Sequence, residues 1–185
     1  MKLISNIILA VVILATIINM IDLPWELRFT DVKNNYLVVM VLAVMLPISA
    51  FIFSVCRDSR SSKVAGVIIS LCLVVPCYIV FIFASSDYEN IRAKGVDYSF
   101  EEIDRLIVND SSYVLYRTNG GATTSFGLVL RLEKKLGFGL NAVNVIFSKY
   151  KASESTLELT DSNSMIMQIQ PYDNKGEVEI VLLNM

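Results

Sequence analysis

Residues 64–84 read VAGVIISLCLVVPCYIVFIFA, a run of 21 residues without a single Asp, Glu, Lys or Arg. Two similar runs precede it, residues 3–21 and 36–55, and neither contains a charged side chain. An α-helix rises about 1.5 Å per residue, so each run spans roughly 30 Å, the thickness of the hydrocarbon core of a bilayer. The sequence therefore predicts three transmembrane helices within residues 1–84.

The composition of the chain changes after residue 84. Residues 85–185 carry 14 acidic and 10 basic side chains, an ordinary and mildly acidic balance. They contain no basic stripe of the kind that binds phosphate backbones, so nucleic acid is not expected as a partner. We divide the sequence into a membrane region (1–84), a polar connector (85–98) and a domain (99–185) with one small core.

The residue types that carry most catalytic and metal chemistry are missing from the domain. The whole chain has no His, and its three cysteines, Cys56, Cys72 and Cys77, lie in or beside the apolar runs. This removes the commonest general base, the thiol nucleophile and the usual zinc ligands. The sequence predicts no catalytic, metal-binding or cofactor-binding residue, and no cofactor.

The distribution of basic residues predicts the orientation in the membrane. Residues 57–63 (RDSRSSK) place three basic side chains close to two helix ends, which is typical of a cytoplasmic loop. The first run is longer than the apolar core of about 7–15 residues in a signal peptide, so we interpret it as a retained helix. We expect a multi-pass protein of the cytoplasmic (inner) membrane, with its N-terminus in the cytoplasm and its C-terminal domain outside.

Individual residues of the membrane region have predicted roles. Trp25, Tyr36 and Tyr88 are placed to anchor the outer ends of the helices at the lipid–water interface. Pro47 and Pro76 are expected to kink their helices without ending them. Gly66 and Ser70 form a small-xxx-small pair that permits close helix approach, in this chain or between chains. The lack of charged residues in the spans disfavours a pump or transporter.

The start of the domain has the pattern of a short helix. Ser99 and Glu102 have the spacing of a capping box, and Phe100, Ile103 and Ile107 follow at helical spacing. We expect a helix over residues 99–108. Three carboxylates lie in its first turns, Glu101, Glu102 and Asp104. They suit the positive end of the helix dipole. The alternative is that they bind a metal or take part in acid–base chemistry.

The remainder of the domain is predicted to be mostly antiparallel β-structure, because its connections are too short for crossovers. Asn119-Gly120 is a typical hairpin turn, and residues 134–137 and 160–163 are expected to turn the chain. A phosphate loop over residues 120–124 is disfavoured, because it lacks the required Lys and a strand follows it. The predicted strands are residues 112–117, 123–133, 142–150, 156–159, 165–169 and 177–183.

One short motif resembles a known group of proteins. Gly121-Ala122-Thr123-Thr124, followed by an alternating strand, resembles a poorly characterised group of small bacterial membrane-anchored proteins. Their outer β-domain carries a Gly-Ala-Thr-Thr run after its first strand, and a later strand–turn–strand resembles residues 156–169 here. The resemblance implies a fold and an outer location, and it implies no activity.

These observations favour a non-enzymatic, membrane-embedded interaction protein, with the lipid bilayer and another protein as partners. One version is an immunity or exclusion protein that protects the cytoplasmic membrane from a toxin. A second hypothesis is a small subunit or assembly factor of a membrane complex. The third is an envelope hydrolase that uses a pair of carboxylates, since such a pair is never excluded by sequence.

Overall fold

The structure is a computed structural model of the chain, and it describes residues 2–21, 23–119, 125–161, 164–172 and 176–184. The chain forms two compact units. One comprises Met1–Leu23 and Val32–Ala93, and the other comprises Pro24–Asp31 and Lys94–Met185. The first unit is helical and the second is built from β-strands.

The helical unit confirms the predicted membrane region. Its helices are α1 (Lys2–Met20), α2 (Val32–Val55) and α3 (Arg60–Lys94), and each is long and apolar enough to cross a membrane. Both α2 and α3 continue through their prolines, Pro47 and Pro76. Helix α3 also runs on through residues 85–94, where the sequence predicts a polar connector. The chain is therefore a membrane protein by the length and composition of these helices.

Small residues bring α2 and α3 together. A Cβ atom added at Gly66 would lie 2.0 Å from the Oγ of Ser54, so only glycine fits at this crossing. One turn further along α3, the Ser70 hydroxyl donates a 2.8 Å hydrogen bond to the carbonyl oxygen of Pro47. The predicted small-xxx-small pair thus serves a helix contact within the chain, with an interhelical hydrogen bond beside it.

The second unit contains two antiparallel sheets. The large sheet has the strand order β1-β5-β4-β3-β2 and the small sheet the order β6-β7-β8. These elements confirm a three-helix membrane region followed by a mostly antiparallel β-domain. The strand bounds are β1 Glu26–Phe29, β2 Phe100–Val108, β3 Ser111–Thr118, β4 Gly127–Gly137, β5 Leu140–Tyr150, β6 Ser155–Asp161, β7 Ser164–Ile169 and β8 Glu179–Asn184.

The helix predicted over residues 99–108 is wrong, because this segment forms strand β2. A β-bulge interrupts its pairing with β3 between Glu102 and Asp104. Because of the extra residue, successive side chains on the same face are three residues apart at this point instead of two, and this spacing resembles that of a helix. The expected cap is replaced by Asp97, whose carboxylate accepts hydrogen bonds from the backbone N–H groups of Ser99 and Phe100.

Strand β1 comes from the loop between α1 and α2, which the sequence does not predict to be part of the domain. It pairs with β5 in antiparallel register, with Glu26 opposite Val143 and Phe29 opposite Leu140. Beyond its end, the N–H of Thr30 donates a 2.9 Å hydrogen bond to the carbonyl oxygen of Gly139. The loop therefore supplies an edge strand of the large sheet.

The turn predicted at residues 134–137 is displaced by a few residues. Strand β4 continues through Gly137, and the chain reverses at Phe138 and Gly139. Gly137, Phe138 and Gly139 all have positive φ angles, of 91°, 54° and 73°. The Gly120 position of the predicted hairpin, the Gly121–Thr124 motif and most of the turn at 160–163 lie outside the described residues.

The core lies between the two sheets. Leu128 and Leu130 of β4 pack with Met165 and Met167 of β7, and all four side chains are fully buried. Strand β2 joins the two sheets at one edge, where the Asp104 carboxylate accepts a 2.7 Å hydrogen bond from the N–H of Leu157 in β6. The small sheet therefore covers one face of the large sheet, and the opposite face is free to carry other side chains.

Candidate interaction site on the large sheet

The face of the large sheet that points away from the core carries charged and aromatic side chains. Successive residues of a strand point to opposite faces, so Tyr113 and Leu115 face the core whereas Tyr116 lies on the outer face. The register places the outer residues of all five strands side by side. We call this surface the charged face, and define it as Glu26, Arg28, Phe100, Glu102, Arg105, Tyr116, Arg131 and Glu133.

The bulge in β2 brings Glu102 and Arg105 onto the charged face together. Although three residues apart, they pair with Tyr116 and Val114, which are two apart on β3. The Arg105 guanidinium donates two hydrogen bonds of 2.7 Å to the Glu102 carboxylate. This bidentate bond raises the pKa of Arg105, and it holds both side chains in a fixed position at the sheet edge.

Arg131 lies at the centre of the charged face. Its guanidinium stacks 4.0 Å from the ring centre of Phe100 and 5.4 Å from that of Tyr116. Its buried Nε has no hydrogen-bond partner among the described residues. Burial, and then the charge of Arg28, lower the pKa of Arg131. Arginine starts so far above neutrality that the side chain stays cationic.

A hydrogen-bond chain connects the centre of the charged face to β1. The Tyr116 hydroxyl donates to Glu133 at 2.8 Å, and the Asn141 side-chain amide donates to the other oxygen of Glu133 at 3.3 Å. The Thr30 hydroxyl donates in turn to the Asn141 oxygen at 3.2 Å. Burial raises the pKa of Tyr116, and the negative charge of Glu133 raises it further. Tyr116 is therefore a neutral hydrogen-bond donor at physiological pH.

The carboxylates of the charged face are held by neighbouring side chains. Each of its carboxylates is engaged: Glu26 with Arg28 at 2.6 Å, Glu102 with Arg105, and Glu133 with Tyr116. Among the described residues, no group of three or more His, Cys, Asp and Glu side chains is placed to hold a metal ion.

The acidic cluster predicted at the start of the domain is dispersed by the strand. Glu101 points away from the charged face and binds Arg117 at 2.6 Å, whereas Glu102 binds Arg105 and Asp104 binds the backbone of β6. An open depression of about 330 Å³ lies beside Arg117 and residues 153–156. Arg117 is already paired with Glu101, so its charge is not available to a ligand in this depression.

The sequence predicts no site residue, so the charged face is absent from the sequence-based predictions. The available signal is the alternation of Arg131 and Glu133 with the buried leucines of β4. Polar residues on the outer face of a strand are ordinary, and only the register shows that those of several strands converge. Comparison with protein-family models, with curated proteins and with solved structures finds no match for this chain.

Proposed function

We propose that the protein is a non-enzymatic recognition protein, anchored in the cytoplasmic membrane, whose β-domain binds a protein partner through the charged face. The observation that carries this proposal is the cluster formed by Arg131, Phe100 and Tyr116, with its fixed ion pair Glu102–Arg105 alongside. Arginine and aromatic side chains are enriched at protein interfaces and dominate their binding energy.

The packing of the charged face supports recognition by a preformed surface. Val114 lies on this face between Arg105 and Arg131 and is nevertheless fully buried. Long arginine side chains cover apolar surface with their stems while their charged ends remain available. A surface already ordered in this way loses little conformational entropy when a partner binds.

The contribution of β1 supports a β-domain on the same side of the membrane as the first loop. Helices α2 and α3 lie between β1 and β2 in the chain, so two membrane crossings return the chain to the side on which β1 lies. This agrees with the strand order, in which β1 belongs to the same sheet as strands β2 to β5. With the basic loop 57–63 inside, both are outside.

The specific version of the proposal is an immunity or exclusion protein that intercepts a toxin at the membrane. We expect that a toxin gene lies beside the gene of this chain, and that bacterial cells expressing the chain survive that toxin. The variant Arg105→Glu should lose this protection, because it places a like charge opposite Glu102 and disrupts the charged face. Arg92→Glu is the matched control, since Arg92 also pairs with a Glu three residues earlier but lies on α3. Equal protection by both variants would exclude the charged face as the binding surface.

A photo-crosslinking residue distinguishes the toxin from a membrane complex as the partner. Placed at position 105, it should give a discrete adduct in cells that contain the partner, and placed at position 92 it should not. An adduct with the toxin supports the immunity version. An adduct with a resident membrane complex supports the subunit or assembly-factor hypothesis, and the absence of an adduct at position 105 contradicts recognition through this face.

A further inference from the structure

Four exposed apolar side chains lie together at one end of the large sheet. The charged residues of β1, Glu26 and Arg28, lie on the charged face, and Leu27 and Phe29, which point to the opposite side of this edge strand, are exposed. Phe29 is paired with Leu140, next to the β4–β5 turn that carries Leu136 and Phe138. We call Leu27, Phe29, Leu136 and Phe138 the apolar tip. Apolar side chains grouped in this way on a surface indicate a contact with lipid or protein.

The fold of the domain does not explain why residue 138 is a phenylalanine. Its side chain is entirely exposed, at 104% relative accessibility, so it packs against no core. Its φ angle of 54° lies in the left-handed region, which is unfavourable for a bulky residue and suits glycine or asparagine. The aromatic ring is therefore better explained by a contact outside the domain than by the stability of the turn.

The chain holds the apolar tip close to the membrane surface. Thr30, which is hydrogen-bonded to Gly139 of the turn, lies two residues before Val32, the first residue of α2. The apolar run of α2 starts at Tyr36, four residues later, or about 6 Å along a helix. The headgroup layer on each side of a bilayer is about 5–8 Å thick. Thr30 lies two residues further out than Val32, so the chain tethers it at about the outer edge of the headgroup layer.

Two lysines beside the apolar tip complement an anionic lipid surface. Lys134 and Lys135 precede Leu136 and are both exposed. The ammonium group of Lys134 lies 5.5 Å from the ring centre of Trp25, the residue predicted to anchor the end of α1 at the interface. Aromatic rings with neighbouring lysines are typical of segments at the lipid–water interface.

We propose that the apolar tip inserts into the headgroup region of the bilayer and acts as a lipid anchor of the β-domain, additional to the transmembrane helices. The occupant of this surface is lipid rather than protein, because the surface is continuous along the chain with a membrane-spanning helix. The proposal does not depend on the identity of a protein partner or on which leaflet the domain faces.

The single tryptophan of the chain permits a direct test. Full-length protein with Trp25→Phe and Phe138→Trp is reconstituted in vesicles of phosphatidylcholine and phosphatidylglycerol, some with lipids brominated near the headgroup. The matched control carries Trp25→Phe and Tyr150→Trp. Tyr150 is also exposed and lies at the other end of β5, about 34 Å from the turn at 3.4 Å per residue.

Tryptophan at position 138 should emit at shorter wavelength than tryptophan at position 150, and brominated lipid should quench it about twofold or more strongly. Equal emission and equal quenching at the two positions would overturn the proposal. A blue-shifted emission at position 138 without quenching by brominated lipid would also overturn it, because protein rather than lipid would then cover the apolar tip.

Discussion

At the scale of single residues, the charged face depends on side chains whose properties are set by their neighbours. Tyr116 is held neutral by burial and by Glu133, and Arg131 is held between two aromatic rings. In both cases a polar group is partly shielded from water, and interactions with its neighbours partly replace the lost hydration. Of the two, Tyr116 can lose its proton at alkaline pH, so it makes the stability of the domain sensitive to alkaline pH.

We expect Tyr116 to destabilise the domain at alkaline pH. Its folded-state pKa is above the ordinary value of 10.0, so its contribution is fully present below about pH 10 and is lost as the pH rises toward the folded value. The variant Tyr116→Phe cannot ionise at this position. It should lose less stability between pH 7 and about pH 11 than the parent chain, as measured by urea midpoints of the full chain in bilayer nanodiscs.

Tyr150 provides a control of opposite sign. Its hydroxyl accepts a 3.2 Å hydrogen bond from the N–H of Ser125, which lowers its pKa. A lowered pKa gives a contribution that is present above the ordinary value and is lost as the pH falls through the folded one. Tyr150→Phe should therefore steepen the alkaline loss that Tyr116→Phe reduces. If both variants changed the slope in the same direction, the assigned environment of Tyr116 would be wrong.

At the scale of elements, the sequence predicts what depends on local pattern and misses what depends on pairing. The apolar lengths of α1 to α3 and the alternation in β3 and β5 to β7 are local, and the structure confirms them. The bulge in β2 shifts its alternation by one residue, so the pattern resembles a helix although the segment is a strand. Strand β1 has only four residues, and its partner β5 is more than a hundred residues away in the chain.

The β-domain should be more stable with β1 than without it. Residues 94–185 alone leave β5 as an unpaired edge, and edge strands are prone to aggregate. Joining residues 24–31 to this segment through a flexible linker should raise the free energy of unfolding by about 1–3 kcal/mol, from the hydrogen bonds of a short strand. Urea unfolding followed by circular dichroism measures the difference.

The control for this comparison is the same fusion with Arg28→Pro, because Arg28 alternates in step with Thr30, whose N–H donates to Gly139, and its own N–H therefore faces β5. Proline cannot donate to the strand ladder, so this variant should behave like residues 94–185 alone. A fusion without gain, or a proline variant as stable as the unchanged fusion, would show that β1 does not contribute to the stability of the domain.

At the scale of the whole molecule, the division into a membrane region and a β-domain could be predicted, but the candidate site could not. The division follows from charge-free runs of bilayer length in the first 84 residues. The charged face instead needs the register of five strands, one of which lies on the far side of two helices in the chain. No local pattern carries that information.

The orientation of the molecule is tested with a reporter enzyme that is active only outside the cytoplasm. Fused after Met185, it should be active, and fused within the basic loop after Ser59, it should be inactive. The physical reason is the preference of short basic loops for the cytoplasmic side. The reverse pattern would invert the orientation and exclude a partner that approaches from outside the cell membrane.

The origin of β1 in the first loop also imposes an order in time. Val143, the partner of Glu26, is synthesised 117 residues later. At about 5–20 residues per second, roughly 6–23 s pass before that partner exists. During synthesis the nascent loop therefore presents an edge strand before its own sheet can receive it. Two chains made close together have this interval in which to exchange β1, so crowded translation should favour strand-swapped dimers.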